Sequence, residues 1–145
     1  MKKQKICIIG GGLTGLVTAI TLSKYPVNVD LIADDVVKTN KSNKTVAISQ
    51  SNYDFLKKLN FFKFSKSKFW PCLKMRLYAK NEKNKIEEVF NVNASNKKNI
   101  LYMIQNSKMM SQMLEYINKN KSINLIKKKM VSEIISKGLL KTVKF

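Results

Sequence analysis

The chain contains no histidine, one arginine (Arg76), two cysteines and two prolines. Without histidine it has no His-based triad, no imidazole metal ligand and no histidine proton shuttle. Cys7 and Cys72 lie far apart in sequence. They offer no disulfide framework, and without histidine beside them no zinc set, so no metal ligands are assigned. Sparse cysteine points to a reducing cytoplasm. Cys7 sits mid-strand, where a small buried hydrophobe is expected. No apolar run approaches the roughly 20 residues of a membrane helix. The start, Met1-Lys2-Lys3 and then an apolar run, resembles a secretory signal superficially. Gly10, Gly11 and Gly12 cut that run, however, and an amphipathic pattern follows.

Acidic residues are scarce too: 9 against 28 basic, a net charge of +19 over 145 residues. Such a balance suits nucleic acid or an anionic membrane surface. The residue usage has a plainer source. Lysine, asparagine and isoleucine are abundant and have AT-rich codons, whereas most arginine codons are GC-rich. A base-reading protein would spend arginines on base edges and phosphates. The lysines are instead scattered, the longest run being Lys127-Lys128-Lys129. Nucleic acid is therefore not the expected partner. Weak attraction to the inner face of a membrane stays open.

What is present is a turn. The apolar, β-branched run Lys5–Ile9 stops at Gly10-Gly11-Gly12, and an apolar-periodic segment follows at once through Leu22. Inside the junction Gly10, Gly12 and Gly15 make G-x-G-x-x-G, after a strand and opening a helix. Gly10 allows the sharp exit from the strand. Gly12 lets backbone approach a pyrophosphate, and Gly15 lets helix and strand lie close. The helix N-terminus then offers free N–H groups and a positive dipole end to the phosphates. A tight turn without a ligand is the plainer alternative.

Val27–Ile32 alternates and reads as a second strand, with Val27, Val29 and Leu31 on one face. Strand–helix–strand of this length is a parallel βαβ unit. An acid at the end of its second strand would bind adenosine ribose hydroxyls, and Asp34 is the candidate. Residues 35–45 read as a polar loop. Val46-Ala47-Ile48 leads into a helix whose face joins Ile48, Phe55, Leu56 and Leu59, with Ser51 and Asp54 as a capping pair. The stretch 60–71 mixes Phe61, Phe62, Phe64, Phe69 and Trp70 with lysines. A single-stranded nucleic-acid platform would look like this; a connector anchored to the core by its rings is preferred. Residues 73–79 and 86–92 form a hairpin about a turn at 81–85. A polar loop at 93–99 precedes a strand at 100–104. Ser107 caps a helix carrying Met110, Met113, Leu114 and Ile117 on one face. Ile123–Ile126 is the natural third strand of the parallel sheet. A last strand pair turns at Gly138.

Three stretches together resemble the flavoprotein aromatic hydroxylases, and within them the ubiquinone-biosynthesis hydroxylases. They are the glycine turn, Lys44-Thr45-Val46-Ala47-Ile48-Ser49 leading into Leu56–Phe61, and Tyr102-Met103-Ile104-Gln105-Asn106 before a helix. The resemblance covers the N-terminal portion of that family. It implies an α/β, Rossmann-like FAD-binding domain over residues 1–145, with a parallel sheet and an added β-hairpin, as an incomplete version of the family fold. The glycine turn would hold the ADP part of FAD. The family's cofactor-contacting arginine falls on Lys44, which keeps the charge and loses the bidentate fork. The family's Glu or Gln before the later helix is matched by Gln105. The family's strand-end acid falls on Ala33, so Asp34 would serve through a one-residue loop shift. The implied cofactor-binding set is Gly10, Gly11, Gly12, Thr14, Gly15, Asp34, Lys44 and Gln105. No catalytic side chain is assigned, because in the family the cofactor carries the chemistry with NAD(P)H and O2. The family's distal Gly-Asp motif, substrate sheet and C-terminal helices have no counterpart in these residues. The implied activity is hydroxylation of the aromatic ring of a ubiquinone precursor. A basic binding module with a vestigial nucleotide fold, or an NAD(P)-binding protein, are the alternatives.

Overall fold

The structure is a computed structural model and describes residues 3–34, 44–61, 68–94, 99–127 and 131–144. The chain divides into two compact units, residues 1–42 with 107–145, and Asn43–Asn106. Residues 35–43 of the loop expected at 35–45, Phe62 and Phe64 of the aromatic stretch, the centre of the loop at 93–99, and Lys128-Lys129 lie outside the described residues.

In the first unit β1 (Gln4–Ile9) leads through α1 (Leu13–Leu22) to β2 (Val27–Ala33). The strands are parallel, with Ile6 opposite Val29 and Ile8 opposite Leu31. Strand β8 (Ile123–Lys127) joins the far side of β2, also parallel, giving the order β1-β2-β8. The expected third parallel strand is thus in place. Leu16, Ala19 and Ile20 of α1 are fully buried, as are Val29 and Leu31 to within a percent. Full burial of a leucine or isoleucine side chain contributes about 1.5–3 kcal/mol. The antiparallel hairpin β9 (Glu133–Lys137) and β10 (Leu140–Lys144) turns at Gly138, whose φ of 58° suits glycine. Helix α3 (Asn106–Lys119) buries Met109, Met110, Met113 and Ile117.

In the second unit β3 (Thr45–Ser49), β7 (Leu101–Gln105) and β4 (Trp70–Cys72) form an antiparallel sheet in the order β3-β7-β4. Helix α2 (Gln50–Lys58) follows β3 directly. The hairpin β5 (Lys74–Lys80) and β6 (Ile86–Asn93) forms where it was predicted, with a bulge after Leu77. Phe61 and Phe69 are buried. Phe69 meets Tyr53 edge-on at 5.0 Å, and Tyr53 stacks on Tyr102 at 4.7 Å. These rings anchor the connector, as preferred, although Trp70 is exposed.

Four expectations are corrected. Ile48 belongs to β3, not to the helical face, because Thr45–Ser49 pairs with β7 through Gln105–Leu101 and tertiary pairing overrides local periodicity. The cap of α2 is Ser49, whose hydroxyl accepts the Asn52 N–H at 3.2 Å; Ser51 and Asp54 lie inside the helix, and Asp54 accepts from Gln50. Ser107 is within α3, which begins at Asn106, and Ser107 is buried there. Cys7 is exposed, because its face of β1 lines an open cleft rather than a packed core.

Candidate functional site

The glycine turn leaves the C-terminal end of β1 beside the end of β2. The Gly10 N–H donates to the Ile32 carbonyl at 2.8 Å, extending the sheet by one bond. Gly10 has φ +120°, a backbone state that a side chain would strain. Gly15, on the first turn of α1, approaches the strand more closely than any other residue type could. A Cβ there would lie 2.0 Å from the Gly10 carbonyl oxygen and 3.7 Å from Ile8. Helix, turn and strand are therefore locked by the missing side chain at Gly15.

Gly12 differs. It is the N-cap of α1, with φ −73° and ψ 175°, and a Cβ built on it meets nothing within 4 Å. Its backbone would tolerate any residue. The space in front of it is open. No side chain caps the helix, and its first turn holds no acid. The N-terminal N–H groups and the dipole thus face open space beside Gly12, which suits a phosphate-type anion. Thr14 is exposed on this first turn, and its carbonyl accepts from the Thr18 hydroxyl at 2.8 Å.

Asp34 follows β2 directly and is exposed. Because Ile9 pairs with Ile32, the turn after β1 and Asp34 after β2 sit at neighbouring strand ends. The structure therefore brings Gly10, Gly12, Gly15 and Asp34 to one edge of the parallel sheet.

Lys44 and Gln105 come together in the second unit. Thr45 pairs with Gln105, and the Asn106 N–H donates to the Lys44 carbonyl at 2.9 Å. The start of β3 and the end of β7 are thus joined. Lys44 is exposed and Gln105 half-buried. Close by in the same sheet, the Tyr102 hydroxyl donates to the Gln50 side-chain oxygen at 2.7 Å.

One cluster escaped the sequence reading. On the sheet face bearing Cys7, that thiol lies opposite Asp30, and Asp30 opposite Asn124. Asp30 accepts from Lys5 at 2.9 Å and from Asn124 at 3.0 Å. Partial burial alone would raise its pKa, but these two donors outweigh it and hold the carboxyl below its ordinary value. Burial first, then the Asp30 charge, pushes the Cys7 thiol up. The next row on this face is Ile9, Ile32 and Ile126. The β9–β10 hairpin overhangs both rows and leaves an open cleft of about 550 Å³. Strand alternation put Cys7 and Ile9 on one face, but only the hairpin's return makes that face a cleft. Among the described residues no group of three or more potential metal ligands comes together. No helix of the described residues is long and apolar enough to cross a membrane.

No family model matches the chain, and no curated protein matches it. Solved structures do. p-Nitrophenol 4-monooxygenase PnpA from Pseudomonas putida DLL-E4 superposes with a TM-score of 0.69 at 15% identity, over 99% of this chain and 36% of that one. CtdE, solved in complex with FAD, gives a TM-score of 0.66 at 14% identity, over 98% and 34%. PqsL from Pseudomonas aeruginosa, described as a probable FAD-dependent monooxygenase, gives 0.66 at 11% identity, over 94% and 36%. The chain therefore shares a mixed α/β fold with these proteins and spans about a third of their length.

Proposed function

We propose that this chain binds the ADP portion of FAD on the Gly10–Gly15 turn and forms the nucleotide-binding part of an FAD-dependent aromatic hydroxylase. The observation that carries the reading is the pairing of two glycine environments. Gly15 is required for the fold, while Gly12 is surrounded by open space. A glycine with open space in front of it, at the N-terminus of a helix, fits a position where a phosphate approaches the backbone closely. Fold neighbours that include an FAD complex support the choice of FAD over NAD(P).

In this reading the N–H groups at the start of α1 bind the pyrophosphate, with Gly11 and Thr14 beside them. The Asp34 carboxylate accepts from the adenosine ribose hydroxyls. Lys44 and Gln105 are assigned to the cofactor by the resemblance, Lys44 supplying charge and Gln105 a side-chain amide. Bound FAD would supply the redox chemistry, with NAD(P)H as reductant and O2 as co-substrate. The chain's own residues bind and orient; none described here is assigned to move a proton. The substrate is proposed to be an aromatic ring, with a ubiquinone precursor as the finer reading. The +19 charge would favour contact with the anionic membrane surface where a prenylated precursor partitions.

The test is the absorbance spectrum and FAD affinity of the 145-residue chain beside a version extended downstream. ADP alone serves as probe for the adenosine end. Flavin absorbance that survives gel filtration in the extended form, together with ADP competition in the 145-residue form, is the expected result. An extended form that binds neither FAD nor ADP overturns the proposal.

A further inference from the structure

The β3-β7-β4 sheet has two unlike faces. Residues paired across neighbouring strands share a face, so the register assigns every side chain to one or the other. One face carries Ile48 with Tyr102, and Val46 with Ile104. It is the packed face: Ile48 and Ile104 are buried, and Tyr102 stacks on Tyr53 of α2. The other face is built of three rows. Thr45 pairs with Gln105, Ala47 with Met103 and Trp70, and Ser49 with Leu101 and Cys72. None of these residues is buried.

Two properties distinguish this second face. It bears no charged side chain, in a chain where 26% of residues are charged. The exposed strand β5, by contrast, carries Lys74, Arg76 and Lys80. Its side chains are also graded in size. Strand β3 presents only the small Thr45, Ala47 and Ser49, while Met103, Leu101 and Trp70 stand beside them on β7 and β4. The result is a flat, uncharged ledge along β3, backed by a thioether and an indole. Trp70 is the one tryptophan of the chain and is 54% exposed, whereas its neighbour Phe69 is buried and does the anchoring. Indole and thioether groups both favour contact with a flat aromatic ring, and a mostly apolar wall with a few polar groups is the usual lining of a small-molecule site.

We infer, on the cofactor reading above, that Trp70 and Met103 contact the isoalloxazine ring of FAD, so that Trp70 selects a flavin over a bare adenine nucleotide. That reading left the ring without a side-chain contact of its own. Gln105, which it assigns to the cofactor, lies on this same face, one row from Met103 and Trp70. Its amide both donates and accepts, as the polar edge of such a ring requires. The small residues of β3 leave room for a plane, and the absence of charge spares the ring from displacing tightly held water.

The test compares FAD with ADP by titration calorimetry, on the 145-residue chain and on its downstream-extended form. ADP shares the glycine turn and lacks the ring. FAD should bind about tenfold or more tightly than ADP. Trp70→Ala should weaken FAD about tenfold and leave ADP unchanged, while Trp70→Phe, which keeps a ring, should recover most of the loss. The visible absorbance band of bound flavin should also shift in Trp70→Ala, which a purely structural role for the indole would not produce. Ala47→Arg sets a bulky charge on the ledge at an exposed position, and should likewise weaken FAD alone; it decides the matter if Trp70→Ala fails to fold. FAD no tighter than ADP, or variants that leave FAD binding intact or weaken both ligands equally, would overturn the ring contact and leave the adenosine site standing. Binding of neither ligand would overturn both.

Discussion

Gly15→Ala is the substitution for which helix propensity and local packing give opposite signs. Gly15 lies in α1, and in an ordinary helix alanine would be favoured over glycine by about 1 kcal/mol. Here the added Cβ would sit 2.0 Å from the Gly10 carbonyl oxygen and 3.1 Å from its carbon. Ordinary contact needs α1 to retreat by about 1 Å or more. The obstructing atoms are backbone, held by the Gly10 N–H bond to Ile32. Overpacking of this kind costs about 1–3 kcal/mol, and a backbone obstacle places it at the upper end. The net expectation is a loss of about 2 kcal/mol. With a urea slope of about 1–3 kcal/mol per molar, the unfolding midpoint should fall by about 1 M. Urea titration followed by circular dichroism measures it. Gly12→Ala is the control. Its Cβ meets nothing and its φ and ψ suit alanine, so only the N-cap preference for glycine over alanine is lost, about 0.5–1 kcal/mol and less than for Gly15→Ala. If the proposed FAD site is correct, the same control should weaken FAD binding about tenfold. A Gly15→Ala chain as stable as the parent, or more so, would refute the packing argument.

Two further outcomes follow from other sites. The folded pKa of Asp30 is depressed, so its contribution is present above the unfolded carboxylate value of about 3.9 and is lost as pH falls through the lower folded value. Urea midpoints measured from pH 6 down to pH 2 should therefore show an acid-side loss that Asp30→Asn reduces. Ser49→Ala removes the one side-chain cap of α2 and should cost about 1 kcal/mol in the same assay, whereas Ser51→Ala should cost less.

Local signals carried much of this fold into the sequence. β1, the glycine turn, α1 and β2 are contiguous, and each is set by its own composition; the parallel pairing then follows from the short crossover. The place of β8 beside β2 was legible from its apolar run after a helix. Ile48 was not, since its strand state depends on β7, more than fifty residues later. The α2 cap was displaced from Ser51 to Ser49 for the same reason: where β3 ends decides where the helix begins. Cys7 was expected inside because its strand is apolar. Burial, however, depends on what lies over a strand, which the strand's own residues do not encode. Of the candidate site, the sharp exit at Gly10, the close helix–strand approach at Gly15 and the adjacency of Asp34 could be read from spacing. The joining of Lys44 to Gln105 needed the register of β3 on β7. The cleft over Asp30 needed the hairpin at the other end of the chain.

The β5–β6 hairpin has a consequence for handling the protein. Met75 pairs with Val92 and Leu77 with Phe90 on one side, while Lys74 and Arg76 meet Asn93 and Asn91 on the other. Leu77 is 59% exposed and Phe90 44%. An exposed apolar ribbon face of this kind is sticky toward its own kind at high concentration. What opposes clumping is the lysine excess, whose mutual repulsion weakens as ions screen it. The useful range of storage buffers is consequently inverted from common practice: dilute electrolyte keeps molecules apart, and concentrated salt brings their greasy ribbons together.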